Sequence, residues 1–141
     1  IKQKLLINTE KVQTLTPTKE DKVFVLFLPS NEIHELGIMY LNYEILLNGY
    51  QTIYLGESIP IDSLLDLKSA FEKITFVSYF TVEPNQDIIE DYIDEMHEKL
   101  IKNSDNEMLL LGRMTAEIKD KNKYNNIHIY NSIEDLTSSY L

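Results

Sequence analysis

The stretch that decides the fold is VFVLFLPSNEIHELG, residues 23–37. Its first six residues form an uninterrupted apolar run, which is typical of a parallel strand buried on both faces. The polar segment that follows contains His34 between Glu32 and Glu35, ahead of Gly37. In open α/β sheets the carboxyl ends of the strands border the ligand-binding crevice. We therefore expect His34 to lie at such an edge, where its side chain can reach a bound metal.

The composition of the 141-residue chain, 43% hydrophobic and 26% charged, is ordinary for a single globular domain. The net charge of −10 argues against nucleic-acid binding by this chain, because phosphate contacts need clustered Lys and Arg. No apolar stretch approaches the roughly 20 residues that span a bilayer, and the N-terminus is too short and polar for a signal peptide. The absence of cysteine excludes disulfides and thiolate nucleophiles, and it fits a cytoplasmic protein.

Short apolar runs alternate with helical patterns from residue 22 onward. This alternation predicts an α/β fold with a doubly wound parallel sheet and right-handed crossovers. Gly49 is expected to close the first of these helices, Pro60 to open the second, and Ser132 to cap the last. The predicted strands are 22–28, 52–55, 74–80, 108–111 and 127–130, and the predicted helices are 34–48, 60–72, 86–102, 115–120 and 132–140.

The chain is predicted to hold one domain, at residues 21–141. Residues 1–20 are interpreted as a linker or as the tail of a preceding helical domain. Within them, residues 14–19 have linker composition, and Pro17 disfavours helix at Thr16. Because the sequence does not begin with Met, we expect a partner domain outside it.

Common ligand signatures of this architecture are absent from the sequence. No G-x-G-x-x-G follows the first strand, and no G-x-x-x-x-G-K-[ST] occurs. His34-Glu35 begins like a zinc-protease helix, but Ile38 stands where the second histidine is needed. No activated nucleophile or acid–base pair is visible, so no enzymatic activity is expected.

Three loop motifs point to a ligand by their order and strand context. They are Glu32-x-His34-Glu35-x-Gly37 after the first strand, Ser78-Tyr79-Phe80 after the third, and Gly112-Arg113 after the fourth. Together they resemble the cobalamin-binding (B12-binding) domain, whose loops carry D-x-H-x-x-G, S-x-L and G-G. Glutamate in place of the first aspartate, with a second glutamate after the histidine, is more similar to the C-terminal sensor domains of MerR-type, light-responsive transcriptional regulators. The resemblance covers roughly residues 20–141 and implies a three-layer, flavodoxin-like fold with five parallel strands, in a domain at residues 21–141.

The resemblance also implies a role for each matching residue. His34 would be the metal ligand, presenting a ring nitrogen to cobalt once the dimethylbenzimidazole tail has moved away, while Glu32 would accept a hydrogen bond from the other nitrogen. Gly37 would let the nucleotide tail pass close to the backbone, Ser78 would hydrogen-bond the tail, and Gly112 would let the benzimidazole lie against the fourth strand. The implied cofactor-binding set is Glu32, His34, Glu35, Gly37, Ser78 and Gly112.

The function that the resemblance implies is a non-enzymatic cobalamin sensor, with adenosylcobalamin as one candidate form. Binding would alter packing against a helical bundle or a second subunit, compatible with a homo-oligomer, and would control a DNA-binding domain outside this chain. No membrane partner is expected. Phe80 in place of leucine, Arg113 in place of the second glycine, and the lack of a helical bundle within residues 1–20 depart from the family pattern.

Two alternatives stay open. One is a degenerate domain without corrin that serves dimerisation or protein interaction. The other is the corrinoid-carrying subunit of a methyltransferase or mutase, for which the aspartate and the double glycine would be expected.

The same residues also have plain structural interpretations. His34 could be a loop histidine that caps the first helix or packs beside Ile38 and Leu41, and the two glutamates could be acids that the helix dipole favours. If the His34 ring turned inward with no cleft beside it, the corrinoid interpretation would fail. Structural or solvated roles are expected for His97 and His128, and remain open for Ser78 and Gly112.

Overall fold

The computed structural model describes residues 1–13, 15 and 17–141. Besides the regular elements, the structure has two 3₁₀ helices, Ile61–Leu64 and Arg113–Glu117, and one π-helical segment, His97–Ile101, among the described residues. Among the described residues the strands are β1 (Lys19–Phe27), β2 (Tyr50–Gly56), β3 (Ile74–Tyr79), β4 (Glu107–Leu111) and β5 (Ile127–Ile129), and the α-helices are α1 (Lys2–Gln13), α2 (Leu36–Leu47), α3 (Leu65–Ala70), α4 (Ile89–Met96) and α5 (Ile133–Ser139).

The strands form one parallel sheet in the order β2-β1-β3-β4-β5. The chain therefore moves outward from β1 to β2 and then returns to the other side of β1 with β3. Phe27 at the end of β1 lies opposite Ser78, and Tyr79 at the end of β3 lies opposite Leu111. The loops after β1 and β3 are thus neighbours at the point where strand order reverses, which is where open α/β sheets bind ligands.

Helices cover both faces of the sheet, as predicted for a three-layer fold. On one face, side chains of α3 and α4 pack with Phe27 and Phe76. On the other face, α2 and α5 pack with Phe24, Leu26 and Val77. Because β1 is buried on both faces, it needs apolar side chains at consecutive positions, which explains the run that identified it.

Residues 1–20 are interpreted from the sequence as a linker or as the tail of a preceding helical domain. In the structure Lys2–Gln13 form α1, which packs on α2, and β1 begins at Lys19. The helix has little apolar pattern, since Thr9 is its only buried residue among those described. The predicted helix at 115–120 is wrong, because the 3₁₀ helix ends at Glu117 and the backbone of Ile118 is extended. Thr14 and Thr16, in the predicted linker, lie outside the described residues.

Local boundary predictions are confirmed at two helix ends. Gly49, which follows the C-cap residue Asn48 of α2, has a φ of 91°, a conformation that glycine adopts at little cost. The Ser132 hydroxyl accepts a hydrogen bond from the backbone N–H of Asp135 at 3.1 Å, which caps α5. No helix within the described part of the chain has the length and apolar character to cross a membrane.

Candidate functional site at the carboxyl edge of the sheet

A buried carboxylate joins the loops after β1 and β3. Glu32 is 1% exposed, and its Oε1 accepts hydrogen bonds from the backbone N–H groups of residues 81–83, at N–O distances between 2.6 and 3.0 Å. Its Oε2 accepts from the backbone N–H groups of Ile33 and His34, at 2.9 and 3.1 Å. Both oxygens are therefore held by donors, and the donors come from two different loops.

These donors keep the carboxylate ionised. Burial acts on the pKa of Glu32 most strongly and raises it, but the hydrogen bonds from the backbone of Val82, His34 and Glu83 and from the His34 ring together lower it, to about 2. Glu32 therefore carries its negative charge at neutral pH, although it has almost no contact with solvent.

The His34 ring is oriented by this carboxylate. Its Nδ1 lies 2.8 Å from Oε2 of Glu32. Because an ionised carboxylate only accepts hydrogen bonds, Nδ1 carries the proton in the neutral ring, and the lone pair is on Nε2. The side chain is 57% exposed, so the ring faces outward rather than into the core. A histidine fixed in this way is suited to bind a metal through Nε2.

Glu35 is held by contacts within the protein. Its Oε2 accepts a hydrogen bond of 2.7 Å from the Tyr54 hydroxyl on β2, and its Oε1 lies 3.9 Å from the Lys2 ammonium on α1. Burial, followed by the hydrogen bond to Glu35, raises the pKa of the Tyr54 phenol. The structure thus places this predicted cofactor residue between β2 and α1.

Gly37, in the first turn of α2, faces an aromatic ring that the sequence motifs do not single out. A Cβ built on Gly37 would lie 3.0 Å from Cε2 and Cζ of Tyr79. An alanine here would push the Tyr79 ring aside by a few tenths of an ångström, so glycine lets the ring lie close against the helix. In the sequence motifs Tyr79 is only the middle residue of Ser78-Tyr79-Phe80, although strand alternation already puts it on the opposite face from Ser78.

Ser78 and Gly112 also have partners within the protein. The Ser78 hydroxyl is fully buried and donates to the backbone carbonyl of Phe27 at 2.8 Å. Gly112 has a φ of 106°, and a Cβ there would overlap the backbone of Phe80. A hydrogen bond holds these two segments together, since the Phe80 N–H donates to the carbonyl of Leu111, next to Gly112, at 2.8 Å. Arg113 is exposed at the surface.

The other histidines differ from His34 in their surroundings. His97 stacks on Tyr124 with ring centroids 3.8 Å apart, and His128 Nε2 lies 3.0 Å from a carboxylate oxygen of Glu107. Across the residues that the structure describes, no group of three or more His, Cys, Asp or Glu side chains is arranged to hold a metal ion.

No protein-family model matches the chain, and no curated protein matches it. Solved structures do match in fold. The monomethylamine corrinoid protein from Methanosarcina barkeri aligns with a TM-score of 0.70 and 16% identity over 95% of this chain and 62% of that one. A cobalamin-binding protein from Desulfitobacterium hafniense DCB-2 aligns with a TM-score of 0.60 and 13% identity over 95% and 64%.

A third match is the methanol:cobalamin methyltransferase complex from Methanosarcina barkeri, with a TM-score of 0.61 and 14% identity over 91% of this chain and 48% of that one. The chain has the flavodoxin-like fold of these proteins. It spans between 48% and 64% of their length. The predicted five-stranded, three-layer architecture is confirmed.

Proposed function

We propose that this chain binds a corrinoid at the carboxyl edge of its sheet, with Nε2 of His34 as an axial ligand of cobalt. The observation that carries the proposal is the hydrogen bond between buried Glu32 and exposed His34. His34, oriented by Glu32, would hold the cobalt of such a corrinoid through its second ring nitrogen. When bound, the corrinoid would supply a redox-active cobalt with an exchangeable upper position.

The surroundings of His34 support this assignment. The pair lies where strand order reverses between β1 and β3, which is the usual ligand position in this architecture. Apolar side chains in these loops and at the start of α2 are exposed: Ile33 by 63%, Leu36 by 49% and Val82 by 44%. Exposed apolar side chains beside a metal ligand suit the flat, largely apolar face of a macrocycle.

The fit is good for the axial half of the cofactor and poor for its nucleotide tail. Glu32 and His34 provide an oriented imidazole. In contrast, Gly37, Ser78 and Gly112, the residues that the resemblance assigns to the tail, are each in contact with other parts of the protein. The proposal therefore concerns the corrin ring and its cobalt.

An optical titration tests the proposal. Diaquacobinamide, a corrinoid without a nucleotide tail, is mixed with the purified protein, and the visible spectrum is followed as imidazole replaces water on cobalt. We expect saturable binding, at least ~10-fold weaker in His34→Ala and ~10–100-fold weaker in Glu32→Gln, because partners that orient a metal ligand contribute on that scale. His97→Ala is the matched control, since it removes a histidine stacked elsewhere.

If the mixture has the spectrum of the free corrinoid, the proposal is wrong. A corrin-free module for dimerisation or protein interaction would then be the better interpretation of the fold.

Two roles are compatible with corrinoid binding. The first is a non-enzymatic sensor that controls a DNA-binding domain outside this chain, as the Glu32 and Glu35 variant of the loop motif implies. The second is a corrinoid-carrying subunit that works with a methyltransferase. Similarity in fold to the monomethylamine corrinoid protein and to the methanol:cobalamin methyltransferase complex favours the second role.

Sedimentation separates these roles. A sensor is expected to change its oligomeric state when loaded with adenosylcobalamin or cobinamide, because its output depends on altered packing between subunits. A carrier is expected to keep its sedimentation coefficient on loading. A change that also occurs in His34→Ala would not come from axial ligation and would count against the sensor role.

A further inference from the structure

The side chain of Tyr79 occupies the space between the start of α2 and the end of β3. Residues alternate along β3, so Tyr79 lies on the same face as Val77, the face that α2 and α5 cover. Its ring lies against the backbone of Gly37, because a Cβ there would be 3.0 Å from two ring carbons and 3.3 Å from a third. Helix and strand are thus bridged by an aromatic ring in van der Waals contact.

The Tyr79 ring occupies the space beside Gly37, where the resemblance implies that the nucleotide tail would pass. A flat ring between two surfaces requires contact distances of about 3.5–4.0 Å between carbon atoms on each side. The Tyr79 ring carbons lie 3.0–3.3 Å from the point where a Gly37 Cβ would stand, so the ring already fills the space beside the bare backbone. A benzimidazole entering beside Gly37 would have to displace the phenol ring into solvent.

The two other candidate tail contacts give no compensation. The Ser78 hydroxyl is already used in a 2.8 Å hydrogen bond to the carbonyl of Phe27, so a tail nitrogen would have to break that bond. Gly112 lies directly against the backbone of Phe80, which leaves no gap between the ends of β3 and β4 at that point.

Electrostatics acts in the same direction. The nucleotide tail carries a phosphodiester, whose negative charge a corrinoid lacking the tail does not have. The chain has a net charge of −10, and Glu32 and Glu35 lie on either side of His34. A corrinoid without the phosphate is therefore attracted more strongly, by an amount that salt reduces.

We infer that this domain prefers a corrinoid without a nucleotide tail, because Tyr79 occupies the space beside Gly37 that the resemblance assigns to the tail. This inference rests on the proposed function. It assigns Tyr79 as the residue that determines specificity and names the ligand class as an incomplete corrinoid of the cobinamide type.

The test compares diaquacobinamide with hydroxocobalamin. Free N-methylimidazole is titrated against both to give their intrinsic preference, since the tail base of cobalamin competes for the same cobalt position. The ratio of the two binding constants, cobinamide over hydroxocobalamin, is expected to be at least ~10-fold larger for wild-type protein than for N-methylimidazole. Tyr79→Ala should tighten hydroxocobalamin binding by ~10-fold and leave cobinamide binding within ~2-fold, while Tyr79→Phe, which keeps the ring, should change neither.

The outcomes distinguish the two proposals. Equal binding of both corrinoids by wild type after this normalisation, with His34 required for each, overturns the inference and leaves the proposed function intact. Failure of both corrinoids to bind overturns both. The wild-type comparison decides the matter even if Tyr79→Ala is unstable, and unchanged cobinamide binding by that variant shows that it is folded.

Discussion

Replacing Glu32 by glutamine should strongly destabilise the protein. The carboxylate accepts five backbone N–H groups and the His34 ring nitrogen while it is 1% exposed. Its pKa falls from 4.5 to about 2, and a tenfold change in proton affinity corresponds to about 1.4 kcal/mol. Ionised Glu32 therefore stabilises the folded state by about 3 kcal/mol at pH 7. A glutamine amide would place its own N–H groups against donors, so we expect a loss of this size.

The effect should depend on pH with a definite sign. Because the folded-state pKa of Glu32 lies below the unfolded value, its contribution is complete above about pH 5 and is lost as the pH falls toward 2. At pH 3 the contribution of Glu32 to the free energy of unfolding is about 1.4 kcal/mol, less than half of its value at pH 7.

Urea denaturation followed by circular dichroism measures this difference, and Tm should fall by roughly 10 °C. Glu57→Gln is the matched control, since Glu57 is exposed and loses the same charge. A Glu32→Gln variant within about 0.5 kcal/mol of wild type at pH 7, the range of ordinary surface substitutions, would refute the reasoning.

Two further predictions concern the ends of β4. Gly112→Ala should lower the free energy of unfolding by at least ~2 kcal/mol in the same urea assay, because a φ of 106° is strained for alanine and its Cβ would overlap the Phe80 backbone. Gly37→Ala is the control. Its Cβ meets only the side-chain ring of Tyr79, so the free energy of unfolding should fall by less. Tyr140→Phe should cost about 1–2 kcal/mol, because the Tyr140 hydroxyl donates to a Glu107 oxygen at 2.8 Å in a half-buried site. Burial raises the pKa of Glu107, but the hydrogen bonds from Tyr140 and His128 outweigh that effect, so the pKa is lowered overall. Without the Tyr140 hydroxyl this pKa should rise, as NMR titration of the carboxyl can show. An unchanged pKa would contradict the prediction.

The sequence was sufficient to predict the sheet and the position of His34. Buried parallel strands need continuous apolar runs, so β1 and its carboxyl end could be recognised directly. The helix α1 could not be recognised in this way, because it buries one polar residue, Thr9, and depends on contact with α2 rather than on its own pattern.

Two features of the site could not be predicted from the sequence. The donors that hold Glu32 ionised are backbone N–H groups of residues 81–83, whose side chains do not reveal them. The position of Tyr79 against Gly37 is a tertiary contact that depends on how closely α2 approaches β3. Strand alternation could have given the face of Tyr79, but not what it touches.

Electron paramagnetic resonance of bound cob(II)inamide tests the central claim most directly. This corrinoid has no nitrogenous tail, so axial nitrogen coupling on Co(II) has to come from the protein. We predict triplet splitting with the natural-abundance protein, doublet splitting after uniform ¹⁵N labelling, and no splitting in His34→Ala. A wild-type spectrum without nitrogen splitting, or splitting that survives in His34→Ala, would contradict axial ligation by His34.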